Sequence, residues 1–149
     1  MMPGTGTPAP GASYQTIVAC NMHPFSRGSV HIQSADPLQP PAIDPAYFRN
    51  PIDLDVVVQA VKFARKVATT PPLGDSLVKM VQPGPEVQTD EQFAEYCKNK
   101  LWPVFHPLGS AAMLPKEDGG VVSPQLVVYG TKNLRVVRPT KLPRLGWVE

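Results

Sequence analysis

Residues 102–140 read WPVFHPLGSAAMLPKEDGGVVSPQLVVYGTKNLRVVRPT and carry the densest structural signals in the chain. His106 is followed by Pro107 and Gly109, which places it in a constrained turn. Gly119-Gly120 marks a loop further along the chain. Short strands are predicted on both sides of this loop, at residues 110–114, 126–129 and 134–137. The segment therefore predicts a strand-rich unit that begins at a histidine-bearing turn.

A long helix is predicted upstream, beginning after Asn50 and ending before Pro71-Pro72. Asn50 suits the N-cap, and Pro51 suits the first helical position. Asp53 and Asp55 lie in the first turn, where carboxylates interact favourably with the helix dipole. The basic side chains toward the other end are Lys62, Arg65 and Lys66. One stripe at helical spacing holds the apolar side chains Leu54, Val57, Val58, Val61, Ala64 and Ala68.

A second helix is predicted over residues 90–101. Thr89 and Gln92 match a capping box, and Pro103 ends the helix. The side chains expected to be buried on this helix are Phe93, Ala94, Cys97 and Leu101.

A hairpin is predicted near the N-terminus. Residues 14–22 are rich in β-branched side chains, residues 23–28 form a turn, and residues 29–34 alternate between apolar and polar. Val30 and Ile32 fall on one side of the second strand, so one face of the hairpin is expected to be buried. The order of strands, two helices and further strands predicts an α+β fold with an antiparallel sheet backed by helices.

The composition limits the classes of function. A chain of 149 residues fits one domain, and its net charge of +2 comes without a run of Lys and Arg, so nucleic acid is not expected as a partner. The 19 prolines predict many irregular connections, among them residues 35–50 and 73–87. No apolar stretch approaches the roughly 18 residues that cross a membrane, so no membrane partner is expected.

Residues 1–13 are predicted to form a disordered tail without the features of a signal peptide, and the localisation stays unassigned. Cys20 and Cys97 form no Cys-x-x-Cys motif, and their redox state stays open.

His106 is the strongest candidate for chemistry. Histidine titrates near neutral pH and is the commonest general base. The alternative, which spacing alone favours, is a structural histidine bonded to a backbone carbonyl in the turn. His23 lies before a proline in a turn, and His31 lies on the polar side of a predicted strand. No pair of histidines or cysteines has the spacing of metal ligands, so no metal site is predicted.

Other residues that resemble site components are weaker candidates. Ser26 and Ser110 lack the G-x-S-x-G context of a serine hydrolase. Glu117 and Asp118 fall in a loop that is expected to be exposed, so catalysis by paired carboxylates is not expected there. Gly119-Gly120 has the composition but not the motif of a phosphate-binding loop, and a plain turn is expected.

Four motifs in the right order resemble the glucose-methanol-choline (GMC) oxidoreductase family. Residues 106–113, HPLGSAAM, resemble its H-x-x-G-[TS]-x-x-M motif, and residues 115–137 resemble its G-V-V-D-x-x-L-x-V-x-G-x-x-N-L-R-V-V stretch. Residues 24–30, PFSRGSV, are similar to P-x-S-R-G-x-V, and residues 43–48, IDPAYF, are similar to I-D-P-x-Y. Taken together, the resemblance covers residues 14–137, which we expect to form the domain.

The resemblance implies the C-terminal, substrate-side part of an FAD-dependent enzyme that oxidises an alcohol, its small-molecule substrate. It implies an antiparallel sheet backed by helices, beside a Rossmann-type domain that binds FAD. His106 takes the position of the family's active-site histidine, the proposed base that removes the alcohol proton while hydride passes to the flavin. No residue of this chain is assigned to binding the cofactor.

The chain also departs from the family pattern. It contains no G-x-G-x-x-G motif of an FAD-binding domain, and Ser123 stands where the family usually has Asp. The family continues after the last matched strand with D-[AG]-S and a second catalytic His or Asn, whereas this chain has Arg138 and unlike sequence over residues 138–149. The isolated chain is therefore expected to be inactive and to hold FAD weakly. The alternative is a non-catalytic remnant or a module that binds a ligand or a partner.

Overall fold

A computed structural model describes residues 10–137, which form a two-stranded sheet, two α-helices and long irregular connections. The elements in chain order are β1 (Ser29–His31), β2 (Ala42–Asp44), α1 (Pro51–Thr69) and α2 (Asp90–Lys100). Two short 3-10 turns cover Gly74–Ser76 and Lys116–Asp118. This arrangement confirms the predicted α+β class. The predicted tail at residues 138–149 and most of the tail at residues 1–13 lie outside the described residues.

The described residues divide into two compact units. Unit 1 comprises residues 10–26 and 48–102, and unit 2 comprises residues 27–47 and 103–137. Both helices lie in unit 1, and the sheet lies in unit 2.

Helix α1 confirms the capping signals of the sequence. The Asn50 side chain accepts a hydrogen bond from the Ile52 backbone N–H at 3.1 Å, and Pro51 opens the helix. The Thr70 N–H closes the other end by donating to the Val67 carbonyl at 3.3 Å. These bonds satisfy backbone groups that have no partner within the helix.

Helix α2 begins at the predicted capping box and packs against α1. The Thr89 hydroxyl accepts from the Gln92 N–H at 3.3 Å, and the Gln92 side chain accepts from the Thr89 N–H at 3.0 Å. The core between the helices consists of Val58, Phe93 and Cys97, with Leu54, Val57, Val61, Val87, Ala94 and Tyr96 packed around it. The prediction that Leu101 is buried is wrong, because α2 ends one residue earlier and leaves this side chain 37% exposed.

Arg65 fastens an irregular loop to the helical core. Its guanidinium donates to the carbonyls of Val87 at 2.6 Å and Gly84 at 3.0 Å, and it lies 4.6 Å above the centre of the Phe93 ring. A charged planar donor suits several carbonyl acceptors and an aromatic face at once. Arg65 therefore organises the loop around residues 83–87 in addition to lying near the end of α1.

The predicted hairpin between residues 14–22 and 29–34 is wrong. β1 pairs instead with β2 in antiparallel register, Val30 opposite Ile43, whereas residues 14–22 form no strand. The proline-rich connection joins β1 to β2. Within it, the Gln33 side chain donates a hydrogen bond to the Pro40 carbonyl at 2.8 Å. Gly28 leads into β1 at a point where a side chain would collide with the Asp44 carbonyl.

The three predicted strands at residues 110–114, 126–129 and 134–137 do not form as such in unit 2. Only single bridges occur in this region, Val122 with Val128 and Val127 with Arg135, and residues 110–114 are irregular. Leu126 adopts a left-handed φ of 67°, which interrupts extended pairing. Val122 is nevertheless fully buried, so this region packs around a small core without a regular sheet.

Candidate functional site

His106 lies in an irregular segment of unit 2, next to a bend at Phe105, and is exposed to solvent. Phe105 has a left-handed φ of 59°, and Gly109 has a φ of 88°. A bulky residue rarely adopts this conformation, and such strain concentrates at functional sites. The chain bends at Phe105 and turns only at residues 110–111, so the prediction of a turn at His106 itself is wrong.

The structural alternative for His106 required a hydrogen bond from its ring to a backbone carbonyl. Among residues 10–137 the imidazole has no hydrogen-bond partner. The ring is thus open to a ligand from solvent.

The segment with the sequence PFSRG is anchored by a buried carboxylate. Asp53, in the first turn of α1, is only 3% exposed. Its Oδ1 accepts from the Phe25 N–H and its Oδ2 accepts from the Ser26 N–H, each at 2.7 Å. The Asn21 side chain also donates to Oδ1, at 3.3 Å. The Ser26 hydroxyl in turn accepts from the Asn50 N–H at 2.9 Å.

These donors compensate the cost of burying the Asp53 charge. Burial alone would raise the pKa of Asp53, but hydrogen bonds from the Ser26 hydroxyl and from the N–H groups of Phe25 and Ser26 lower it below its ordinary value of 3.8. The ionised form is therefore the one that the fold stabilises.

Acidification should remove the stabilisation that Asp53 provides. Since its folded-state pKa lies below 3.8, the stabilisation is complete above that value and is lost as the pH falls toward the folded-state pKa. Denaturant unfolding of the parent and of Asp53→Asn, at neutral pH and at about pH 3, measures this effect. At neutral pH the parent should be more stable than Asp53→Asn. This difference in the free energy of unfolding should be smaller at about pH 3. A difference that is constant with pH would contradict this role.

Two open clefts lie in unit 1, and neither includes His106. One cleft is lined by Glu86, by Glu91 and Glu95 of α2, and by Lys100 at the end of that helix. The other is lined by Lys62, Arg65 and Lys66 of α1.

The charges of the two clefts bear on cofactor binding. A dinucleotide needs positive charge or N–H groups that remain available for its pyrophosphate. In the first cleft Lys100 is the one cation beside three glutamates. In the second, Lys62 pairs with Asp90 at 2.6 Å and Arg65 donates to loop carbonyls, so Lys66 is the remaining cation. No residue of these two clefts is assigned to the cofactor.

Other residues considered from the sequence lie apart from His106 or have no assigned role. Within residues 10–137, no three His, Cys, Asp or Glu side chains come together as metal ligands. None of the helices in this range is both long and apolar enough to span a bilayer.

Gly119 forms the expected turn with a left-handed φ of 79°. Both thiols are unpaired; Cys20 is exposed, and burial raises the pKa of Cys97.

Sequence reasoning missed the tertiary roles of Asp53 and Arg65. Both positions were explained by the helix dipole alone, because their partners lie 18 to 32 residues away. Asp53 reads as a carboxylate in the first turn of a helix and Ser26 as part of a turn, so no sequence signal joins them. Their pairing could not be deduced from either segment alone.

Comparisons with known proteins place this fold in context. The sequence model for GMC oxidoreductases matches residues 24–145. A dehydrogenase of Armillaria gallica is 39% identical over 137 residues, covering 92% of this chain and 21% of that protein. The structure of a fungal aryl-alcohol oxidase is 39% identical with a TM-score of 0.73, over 82% of this chain and 20% of its own.

A second solved structure extends the comparison to a flavoenzyme. An FAD-dependent oxidoreductase from Chaetomium thermophilum is 34% identical with a TM-score of 0.76, over 83% of this chain and 21% of its own. The chain thus spans about a fifth of the length of the relatives that it matches.

Proposed function

The chain belongs to the GMC oxidoreductase family, as a C-terminal fragment, and from this premise we propose that it forms the substrate side of an FAD-dependent enzyme that oxidises alcohols. In this proposal His106 is the general base, and flavin binding is assigned to the part of the relatives that this chain does not span. The related aryl-alcohol oxidase and the FAD-dependent oxidoreductase support the reaction class.

The observation that carries the proposal is the backbone conformation on either side of His106. Phe105, with its φ of 59°, and Gly109, with its φ of 88°, flank an imidazole that is exposed and has no hydrogen-bond partner within residues 10–137. A base must reach its substrate, and a ring tied to a backbone carbonyl would have one nitrogen fewer for that purpose.

The chemistry assigned to this chain is one proton transfer. A neutral imidazole nitrogen of His106 accepts the hydroxyl proton of the alcohol, and the negative charge that develops on oxygen weakens the adjacent C–H bond. General bases of this kind contribute about 10²–10⁴ to the rate. The backbone at Phe105 and Gly109 sets the point from which the ring projects, and a small displacement of a catalytic group is costly.

A hybrid enzyme tests the proposal. We define it as the fungal aryl-alcohol oxidase in which the matching region is replaced by residues 24–137 of this chain. The hybrid should purify with flavin absorbance and oxidise aryl alcohols, whereas the isolated chain should be colourless and inactive, because flavin binding is assigned to the part of the relatives that this chain does not span. Absorption spectra and alcohol-dependent turnover measure both.

Two results would contradict this assignment. An isolated chain that purifies with stoichiometric flavin would show that it holds the cofactor by itself. A hybrid that binds flavin but oxidises no alcohol would show that residues 24–137 do not supply the substrate side.

A further inference from the structure

The segment that carries His106 is tied down at its downstream end through three backbone carbonyls. The first belongs to Ala112, a buried residue six positions after His106. Its oxygen accepts hydrogen bonds from the N–H groups of Val121, at 2.8 Å, and Val122, at 3.3 Å. A carbonyl oxygen has two lone pairs and can accept both donors. The end of the His106 segment is therefore joined to a later stretch of unit 2.

Leu114 and Pro115 supply the other two carbonyls. The Tyr129 hydroxyl donates to the Leu114 carbonyl at 3.1 Å, and the Gly120 N–H donates to the Pro115 carbonyl at 3.0 Å. Tyr129 also donates its own N–H to the Val121 carbonyl at 3.0 Å. Its backbone and its side chain are thus both fixed, so the hydroxyl that reaches Leu114 stands on a rigid support.

The three carbonyls and their donors form a cluster that we define as the carbonyl clamp. The donors are Gly120, Val121, Val122 and Tyr129. At Gly120 the two stretches of backbone are in such close contact that a side chain would collide with the Leu114 carbonyl, and glycine permits this approach. Every member of the clamp lies in unit 2, as His106 does.

We propose that Tyr129 is a positioning residue for His106 and acts through the carbonyl clamp. Pro107 fixes one of the φ angles between His106 and Ala112, so a shift of the clamped end also displaces the imidazole. Displacing a catalytic group by about 1 Å can lower the rate by about 10²-fold. The inference rests on the proposed function of His106 as a base, and it assigns no proton transfer to Tyr129.

Removing the Tyr129 hydroxyl from the hybrid enzyme tests this role. Tyr129→Phe should lower kcat for an aryl alcohol about tenfold, because the ring is kept and only the alignment of the base is lost. KM should change by less than about twofold, and the flavin content should stay the same. Tyr47→Phe is the matched control, since it removes an exposed hydroxyl elsewhere in unit 2 and should leave kcat and KM unchanged. An unchanged kcat in Tyr129→Phe would overturn the inference.

A double variant separates positioning from general damage to the fold. The His106→Ala hybrid has no imidazole to position, so adding Tyr129→Phe to it should change the remaining kcat by less than about twofold. Residues that act through one group are non-additive in this way. A further tenfold loss in the double variant would show that Tyr129 acts independently of His106, which contradicts the proposal.

A measurement on the isolated chain tests the same connection without turnover. The NMR signal of the His106 imidazole Cε1–H should shift or broaden in Tyr129→Phe, whereas the signals of His23 and His31 should stay in place. An unmoved His106 signal would show that the clamp does not hold this side chain. A parent hybrid without turnover, or a His106→Ala hybrid with full turnover, would contradict the proposed function, and the NMR signal would then decide alone whether Tyr129 positions the imidazole.

Discussion

Replacing His106 with alanine should lower kcat/KM for alcohol oxidation by the hybrid enzyme by about 10²–10⁴ while flavin content stays the same. His106 is exposed and follows the left-handed Phe105, so removal of the imidazole leaves the described packing intact. The substitution removes only the proposed proton acceptor. Steady-state kinetics with an aryl alcohol, together with the flavin absorbance of the same preparation, measure the two quantities.

His31→Ala is the control for this prediction. His31 is also exposed, but it lies in β1 rather than beside Phe105. We expect the turnover of His31→Ala to stay within a factor of about 2 of the parent, as for most surface substitutions. Unchanged turnover of His106→Ala would remove this residue from the mechanism. Loss of flavin together with activity would indicate a structural effect instead.

Replacing Asp53 with alanine should lower the free energy of unfolding of the isolated chain by about 3 kcal/mol. The carboxylate is 3% exposed and accepts hydrogen bonds from the backbone N–H groups of Phe25 and Ser26. Alanine leaves these donors without their acceptor in a partly buried position, and bonds to a charged group are the stronger ones. Since small domains are stable by about 5–15 kcal/mol, the loss should be readily detected by urea unfolding.

Asp55→Ala is the matched control for this prediction. Asp55 lies two residues further along α1, beyond the first turn in which it was predicted, and it is exposed. Its replacement should change the stability by less than about 0.5 kcal/mol. Similar losses for the two variants would show that helix-dipole interactions dominate and that the Asp53 hydrogen bonds contribute little. Hydrogen exchange at the Phe25 and Ser26 amides should also accelerate only in Asp53→Ala, because only this variant releases them.

The two helices were predictable because their determinants are local. The Asn50 cap bonds to Ile52, and the capping box joins Thr89 to Gln92, so each signal spans two or three residues. The strands were predicted less well. Alternation at residues 29–34 located β1 but extended it three residues beyond His31, and it could not select β2 as the partner strand.

The candidate site around His106 was also predicted only in part. Pro107 and Gly109 predicted a turn at His106, whereas the chain bends at Phe105 and turns at residues 110–111. The left-handed conformation of Phe105 has no signature in the sequence, since a bulky residue disfavours it. The role of His106 as a base remains the proposal that the His106→Ala experiment tests.

The sequence by itself determined the family and the two capped helices, because motifs and caps depend on neighbours within a few residues. Only the tertiary structure decided that β1 pairs with β2 and that Asp53 holds the PFSRG segment. The Asp53 bond to Phe25 spans 28 residues. Contacts at such separations depend on how the whole chain packs, so no local pattern specifies them.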